Sequence, residues 1–590
     1  MKKHLLSLCV LLIAALPVQA ASLRQALETL LPDNGQMIAK LPNGETLFGK
    51  FFMKRMYEAT GYELIWTPAS IRSLTQAING LAGDGLTPSD YIFAATRPYI
   101  ENPNQGRGSA EESALIDVLL TEGYLRALYQ LYYGKADPQA EEESNNFGQA
   151  RDGKDRSQMI LAWAQKNRID EAFGWARPKS RRYDMLREGL AQYRSIKAAG
   201  GWPQIPNGPA IKPGDSDPRI VLIRKRLSAS GDLPSATGPN TYDAKLQEGV
   251  KRFQYLHGLA SDGTLGPGTI AAMNVSVDKR IEQIRANLDR QRWILHEEHG
   301  EFLAVDIAGF MIYWYRDGKI IWSEDVQVGK AFTNTPIFKD RVRYIDFNPT
   351  WTIPPGILKR TVLPELKKNP GYLGKMGYKL LSRDGKELDP HSIDWKSMSS
   401  IPYSVVQEPG DKNALGRVKF MFPNKYSVFL HDTNHRELFA KQVRTTSSGC
   451  IRLKSPFDLA ERLLAGQGWN RARIDKVLAS GKTTRVNLEK PMRILIFYST
   501  AFADEVGVHF KDDIYKRDPR VLAQLNGPFR FHLQDTGGKP KPGISDESYA
   551  ADSGSDNLTQ ATQDAAPVAA PTLAPAASRK AAQWNTGFLN

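Results

Sequence analysis

Ser447-Ser448-Gly449-Cys450-Ile451-Arg452-Leu453 is the stretch from which the rest of the chain is read. Cys450 is one of two cysteines among 590 residues. The other, Cys9, lies in a segment with the features of a cleaved export signal. Lys2 and Lys3 open it, an apolar run from Leu5 to Leu16 is broken only by Ser7, and Pro17-Val18-Gln19-Ala20 ends on a small residue. That run is too short to span a bilayer, and no later stretch is long and apolar enough to do so. Residues 1–20 are therefore expected to be removed, leaving an exported chain with a single cysteine. A lone thiol outside the cytoplasm has no disulfide partner within the chain and is open to oxidation. A reactive nucleophile accounts for it; an inert buried cysteine is the alternative.

A catalytic thiol needs a base, donors for a developing oxyanion, and access. His431 ends a strand predicted over Tyr426–His431, in which Val428 and Leu430 face one way and Phe429 and His431 the other. It precedes Cys450 by 19 positions, so one loop can bring imidazole and thiol together. Gly449 lets the backbone bend so that amides at 448 to 450 can converge on an oxyanion. Ser455-Pro456, followed by Phe457, Leu459, Leu463 and Leu464, predicts a capped helix that anchors the loop from behind.

Working outward, a length of 590 implies several domains. The 41% hydrophobic and 24% charged content fits globular units. The net charge of +14 is spread widely, with no compact basic run interleaved with aromatics. A solvated basic surface with some attraction to an anionic envelope is expected, not a nucleic-acid partner. Residues 21–205 read as a helical scaffold. Ile71, Leu74, Ile78 and Leu81 recur at helical spacing, as do Leu115, Val118, Leu119, Leu125, Leu128, Tyr129 and Tyr132 before Gly134. Gly200-Gly201 through Pro209 reads as a linker. From about 300 the period shortens to that of strands, with a hairpin signal at Asp317-Gly318. The segment 354–411 shows no strand period and reads as an insertion in that domain, a lid or a loop. Residues 535–590 are Gly-, Pro-, Ser- and Ala-rich and read as a disordered tail.

Two parts of the chain resemble known families. Residues 213–275, with Phe253-Gln254, His257-Gly258-Leu259, an Asp262-Gly263 turn and Thr269 as the expected cap of a last helix, resemble a small three-helix peptidoglycan-binding module. A histidine at a strand end followed by Ser-x-Gly-Cys-Ile-Arg-Leu resembles the YkuD-type L,D-transpeptidase domain, here over 300–480 with 481–534 as its C-terminal extension. Thr335-Pro336-Ile337-Phe338 is similar to an early turn of that domain, and 354–411 to the capping subdomain of its larger members. The resemblance implies a multi-domain α+β protein of Gram-negative periplasms: helical scaffold, three-helix module and mostly-β catalytic domain with an inserted lid. It further implies that Cys450 is the nucleophile, His431 the general base, and Gly449 with Cys450 the oxyanion donors. Arg452 would hold the loop or a substrate carboxylate. Trp351, Ser448 and Tyr426 are read as further substrate contacts, with a place in the core as the alternative for Trp351. The reaction implied is peptidoglycan 3→3 cross-linking through a thioester on a tetrapeptide stem, with release of D-alanine. Stem peptides and glycan would be the partners, with cell-wall synthesis proteins beside them. No cofactor is called for, and carbapenem-type β-lactams would acylate the same sulfur. Hydrolysis to a tripeptide, or a non-catalytic binding scaffold, are the alternatives.

Three points stay open at this level. The family often has His where Ser448 stands, which leaves His431 as the base and its orienting group undecided between the Asp432 side chain and the carbonyl of residue 432. His431, Asp432, His435 and Cys450 could compose a zinc site, but the His pair at i and i+4 needs a helix where a strand is predicted. His296-Glu297-Glu298-His299 has its histidines three apart and reads as a solvated loop.

Overall fold

The structure, a computed structural model, describes residues 22–530 apart from positions 35 and 37 and the segments 148–154 and 296–298. The expected export signal, the tail from 535 and His296-Glu297-Glu298 lie outside the described residues.

The C-terminal half is built on nine strands: β1 (Glu301–Asp306), β2 (Met311–Arg316), β3 (Lys319–Gly329), β4 (Phe338–Phe347), β5 (Val418–Met421), β6 (Leu430–His431), β7 (Thr445–Ser447), β8 (Ile451–Leu453) and β9 (Thr484–Phe497). Their order is β7-β3-β8-β6-β5-β4-β9-β1-β2, and β2 pairs back onto β3. Eight strands therefore close into a ring, with β7 alongside the end of β3; closure removes the exposed edges that an open sheet would carry. The β2–β3 turn has positive φ at both Asp317 (48°) and Gly318 (76°), the geometry that matches the twist of a tight hairpin.

Register decides what faces where. Ile451, Leu430, Phe420 and Ile345 lie side by side across four strands, and all are fully buried. One residue further along, Gln327, Arg452, His431, Lys419, Asp346 and Arg485 form the neighbouring row. Successive side chains on a strand alternate faces, so the polar row occupies the face opposite the apolar one.

Two boundaries differ from those expected. Only Leu430–His431 of the 426–431 segment is strand, because Ser427 adopts φ 54° and turns the chain before it. Residues 481–534 are no appendage: β9 lies between β4 and β1, and the ring cannot close without it. The insertion also differs, forming a three-stranded sheet of Trp351–Thr352, Tyr378–Leu381 and Ser404–Gln407. It carries an apolar core of its own, including Leu358, Leu366, Leu373, Leu380, Trp395 and Val405.

The N-terminal part is helical, with α1 (Ala110–Tyr133) at its centre. The segment around 220–273 supplies the three expected short helices. Thr269 does not cap the last of them. It is the third residue inside that helix, buried, and receives a hydrogen bond from Gln254, which also reaches the Asp262 carboxylate and the Gly263 amide. The Phe-Gln and Asp-Gly signals thus meet in one buried polar joint that holds the module's turn.

Helix α2 (Val277–Ile294), between the expected domains, ties the molecule together. Its Arg290 pairs with Glu141 of the helical part at 2.7 Å and with Asp518 beyond the barrel. Asp289 accepts the amides of Lys135 and Ala136 at 2.9 and 2.8 Å. One apolar core runs from the scaffold helices through Ala286 and Trp293 of α2 into the barrel. Among the described residues no helix is long and apolar enough to cross a membrane.

Candidate active site

The loop between β7 and β8 is shaped by hydrogen bonds within its own sequence. Ser447 is buried; its Oγ donates to the Cys450 carbonyl and accepts the Gly449 amide at 3.1 Å. Gly449 sits at φ 124°, open to glycine and strained for any other residue. Its carbonyl accepts from Thr335 Oγ1 at 2.8 Å, and that hydroxyl in turn accepts the Gly329 amide at 2.9 Å. Tyr515 closes the frame: its hydroxyl donates to the Gly329 carbonyl at 2.6 Å and accepts the Thr335 amide at 3.2 Å. The Cys450 loop is therefore braced by the Thr335 turn and, through Gly329 and Thr335, by a residue beyond β9.

Two sequence expectations change here. The Gly449 amide is engaged by Ser447 Oγ, so it is not a free oxyanion donor. Among the described residues, the Ser448 and Cys450 amides have no backbone acceptor and are the two left to serve. The helix α3 (Pro456–Leu464) forms as expected, but Ser455 makes no side-chain cap; its amide donates to Glu324 at 2.7 Å instead.

Cys450 is part-exposed, and its thiol points to the Ser427 carbonyl at 3.6 Å. Strand alternation puts it on the face that carries Arg452 and His431. Burial pushes the thiol up, and the Phe429 amide, Lys419 and Arg452 pull it partly back. His431 is buried and its Nδ1 meets the Asp432 carbonyl, so that nitrogen carries the proton. The open question of what orients the imidazole thus resolves to the backbone carbonyl. The Asp432 carboxylate faces away, onto the Arg417 amide at 2.9 Å and the Arg436 guanidinium. Burial first, and Arg452 second, press the imidazole down to about 3, against the lift of the Asp432 and Leu415 backbones. The imidazole Nδ1 and the thiol are each turned to a backbone carbonyl and not to one another.

Arg452 lies beside His431 in the polar row. Its Nε is buried without a partner, and its one hydrogen bond, to Gln327 Oε1, is long at 3.5 Å. Lys419, on the other side of His431, was not singled out from the sequence. Its ammonium sits 4.4 Å over the Phe429 ring, and burial lowers its pKa. A lysine inside the apolar run Val418-Lys419-Phe420 was the available signal. Two cations thus bracket the imidazole and, among the described residues, neither forms an ion pair, an arrangement suited to receiving a carboxylate or steadying a thiolate.

The remaining expected residues are dispersed. Ser448 is exposed. Trp351 stands at the root of the insertion, edge-on to Tyr378 at 6.1 Å, and bridges the barrel and insertion cores. Tyr426 packs on Phe338 at 5.2 Å and lines a cleft on the scaffold side of the barrel. The suggested zinc ligands do not converge: His435 turns outward to Glu437, and no metal-binding group of three is present among the described residues.

This geometry, a braced Ser-x-Gly-Cys loop beside a carbonyl-held histidine on a closed mixed barrel, falls within a region matched by a family model. The model described as "L,D-transpeptidase catalytic domain" (YkuD) matches residues 300–479. The chain carries a YkuD-type L,D-transpeptidase domain. A model described as "Scaffold domain" matches 52–190, and one described as "Putative peptidoglycan binding domain" matches 216–273. A protein of Haemophilus influenzae named "Putative L,D-transpeptidase" is 33% identical over 286 residues, 47% of this chain and 58% of that protein. The chain thus spans a little over half the length of this curated relative. Among solved structures, the L,D-transpeptidase from Xylanimonas cellulosilytica is similar at 14% identity, covering 50% of this chain and 99% of that one, with a TM-score of 0.16. One from Stackebrandtia nassauensis follows at 12%, 50% and 97%, with 0.19. Scores this low carry no argument about arrangement. Since the transpeptidase match ends at 479, β9 and the Tyr515 brace lie beyond it, yet both complete the domain physically.

Proposed function

We propose that this protein is a cysteine acyltransferase that cross-links peptidoglycan stems 3→3. Cys450 sulfur attacks the carbonyl of the third stem residue, a diaminopimelate. A C–S bond forms, the C–N bond to the terminal D-alanine breaks, and the thiol proton passes through His431 to the leaving amine. An amine of a second stem then attacks the thioester: a C–N bond forms, the C–S bond breaks, and the released proton returns to sulfur. One peptide bond is exchanged for another, so no cofactor is called for. The observation that carries the reading is the Ser447–Gly449–Cys450 loop, locked by Thr335 on the face shared with His431, Arg452 and Lys419. The Ser448 and Cys450 amides would receive the oxyanion, and Arg452 a stem carboxylate. The matched peptidoglycan-binding module supports cell-wall material as substrate and, with the expected export signal, a periplasmic site of action. Carbapenem-type β-lactams are expected to acylate Cys450.

Incubating the full chain with disaccharide-tetrapeptide and reading products by mass tests this. A dimer lighter by D-alanine is the expected product, and Cys450→Ala should abolish it without loss of fold. Tripeptide alone would make the protein a hydrolase; no product and no thioester would leave a binding scaffold.

A further inference from the structure

Lys419 carries a charge that no carboxylate of the protein pairs with. It stands in the polar row with Asp346 beside it on β4 and His431 beside it on β6. The Asp346 carboxylate is already committed to Arg485, at 2.8 and 3.2 Å. Among the described residues Lys419 makes no hydrogen bond and no ion pair. Its side chain instead leans one step along the sheet, so that the ammonium lies 4.4 Å over the ring of Phe429. Phe429 is level with Cys450: the two residues directly precede the Leu430–Ile451 pair of the parallel strands, and the Phe429 carbonyl accepts the Ile451 amide at 3.1 Å. Burial lowers Lys419, while Asp346 and Cys450 raise it. A half-buried ammonium without a counter-ion costs stability, and a ring face offsets only part of that cost. Beside a nucleophile, such a cation is a place for an anionic group of the substrate.

Across this face Cys450 at the start of β8, His431 on β6 and Lys419 on β5 follow one another strand by strand. A donor stem presents its atoms in the same order. The attacked carbonyl carbon comes first, then the amide nitrogen that must take a proton, then the carboxylate of the terminal D-alanine. That carboxyl carbon is three bonds from the attacked carbon and within about 4 Å of it. With sulfur on the carbonyl and the leaving nitrogen on the His431 side, the carboxylate is carried over Phe429 towards β5. Arg452 lies on the nucleophile's own strand, so it stands beside the stem and not behind the leaving group. We propose that Lys419 sets the specificity of the donor site: its ammonium pairs with the free carboxylate of the terminal D-alanine, so that stems ending at that residue are selected. This rests on the transpeptidase reading above and leaves Arg452 for a carboxylate further back on the stem. An extended or amidated stem leaves the ammonium unpaired and is a poor donor for that reason.

The test compares two donors on the full chain: disaccharide-tetrapeptide with a free terminal carboxylate, and the same compound amidated there. The rate of acyl-enzyme formation is followed by mass. The parent should prefer the free acid by about tenfold or more. Lys419→Met should slow the free acid far more than the amide, so that the preference disappears, while Lys419→Arg should keep most of it. Lys419→Gln gives the same comparison if a melting curve shows that the methionine variant does not fold. A charge that only steadies the thiolate would slow both donors alike. A Lys419→Met protein that is slower on both yet still prefers the acid would therefore overturn the proposal, and so would a parent that takes both donors equally. Binding is measured separately, by calorimetry on the full chain carrying Cys450→Ala so that nothing turns over. The free acid should bind about tenfold or more tightly than the amide, and adding Lys419→Met should remove the difference. Equal affinity for the two donors before that addition would also overturn the assignment. If the parent forms no acyl-enzyme with either donor, the transpeptidase reading fails, while the calorimetry still judges the carboxylate pairing.

Discussion

At Cys450 two opposing influences meet: burial disfavours the thiolate, while Lys419 and Arg452 favour it. The neighbouring imidazole is held near 3, so at neutral pH it is uncharged. A neutral thiol thus stands near a neutral imidazole, and under the proposed reaction the proton would move only as the thiol attacks. Alkylation of Cys450 by iodoacetamide should rise with pH through a single ionisation above the ordinary cysteine range. A reactivity plateau reaching below neutral pH would instead reveal a pre-formed thiolate–imidazolium pair and contradict this reading. Lys419→Met removes a positive charge, which disfavours the thiolate, so the ionisation should move further up. His431→Gln should leave the alkylation profile nearly unchanged yet slow thioester formation by roughly 10²–10⁴-fold, the range for losing a general base. The motif singled out Cys450 and His431 because a lone cysteine after glycine and a histidine near a strand end are local signals. Lys419 was not legible, because its closeness to His431 exists only through the β5–β6 register.

At the scale of elements, α2 and the insertion make contrasting predictions. Arg290 is fully buried between Glu141 and Asp518. Arg290→Ala leaves two carboxylates buried without their partner, at a cost of about 3–5 kcal/mol. Thermal melting should fall accordingly, and limited proteolysis should first cut around α2, where scaffold and barrel part. An unchanged melting temperature would show that the pair does not hold the domains together. The insertion behaves oppositely because its core is its own. Replacing 355–410 with a short glycine linker should leave a folded barrel by circular dichroism that still reacts with a β-lactam at Cys450. If the insertion acts as a lid that excludes water, the ratio of tripeptide to dimer should rise. A folded variant with an unaltered ratio would refute the lid role.

For the whole molecule, the three-helix module docks through His257 on the two-stranded hairpin Ala501–Ala503 and Val508–Phe510 that follows β9. Its ring stacks on Phe253 at 3.8 Å and on Phe510 at 5.4 Å, while Arg252 donates to the Val506 carbonyl. Burial, then Arg280, Arg226 and His509, hold His257 well below its usual value, opposed by the Phe253 carbonyl. Asp504, paired with His509 at 2.9 Å, is the nearby carboxylate on the hairpin side. The unfolded or undocked histidine binds a proton below about pH 6.5, whereas the docked one does not. Stability from docking is therefore full above pH 6.5 and lost as pH falls below it. Amide protection in 499–513, taken relative to the intrinsic exchange rate at each pH, should fall between pH 7.5 and 5, and His257→Gln should remove most of that pH dependence. Equal pH dependence in the variant would assign the effect elsewhere.

By itself the sequence determined the helical character of the N-terminal part, the strand character of the barrel, the module at 213–275, the tight Asp317-Gly318 hairpin and the Ser447–Cys450 loop. Each of these is written in residues close together along the chain, through periodicity, turn chemistry or a fixed short spacing. Only the tertiary structure decided that β9 is a central stave of the barrel, that the insertion folds around a core of its own, and that Tyr515 braces a loop 65 residues before it. It also decided which group orients His431 and that the Gly449 amide is already engaged. These outcomes depend on strand register and on hydrogen bonds between residues far apart in the chain. A one-residue change of register moves every side chain to the other face, and no local pattern encodes which register the closed ring adopts.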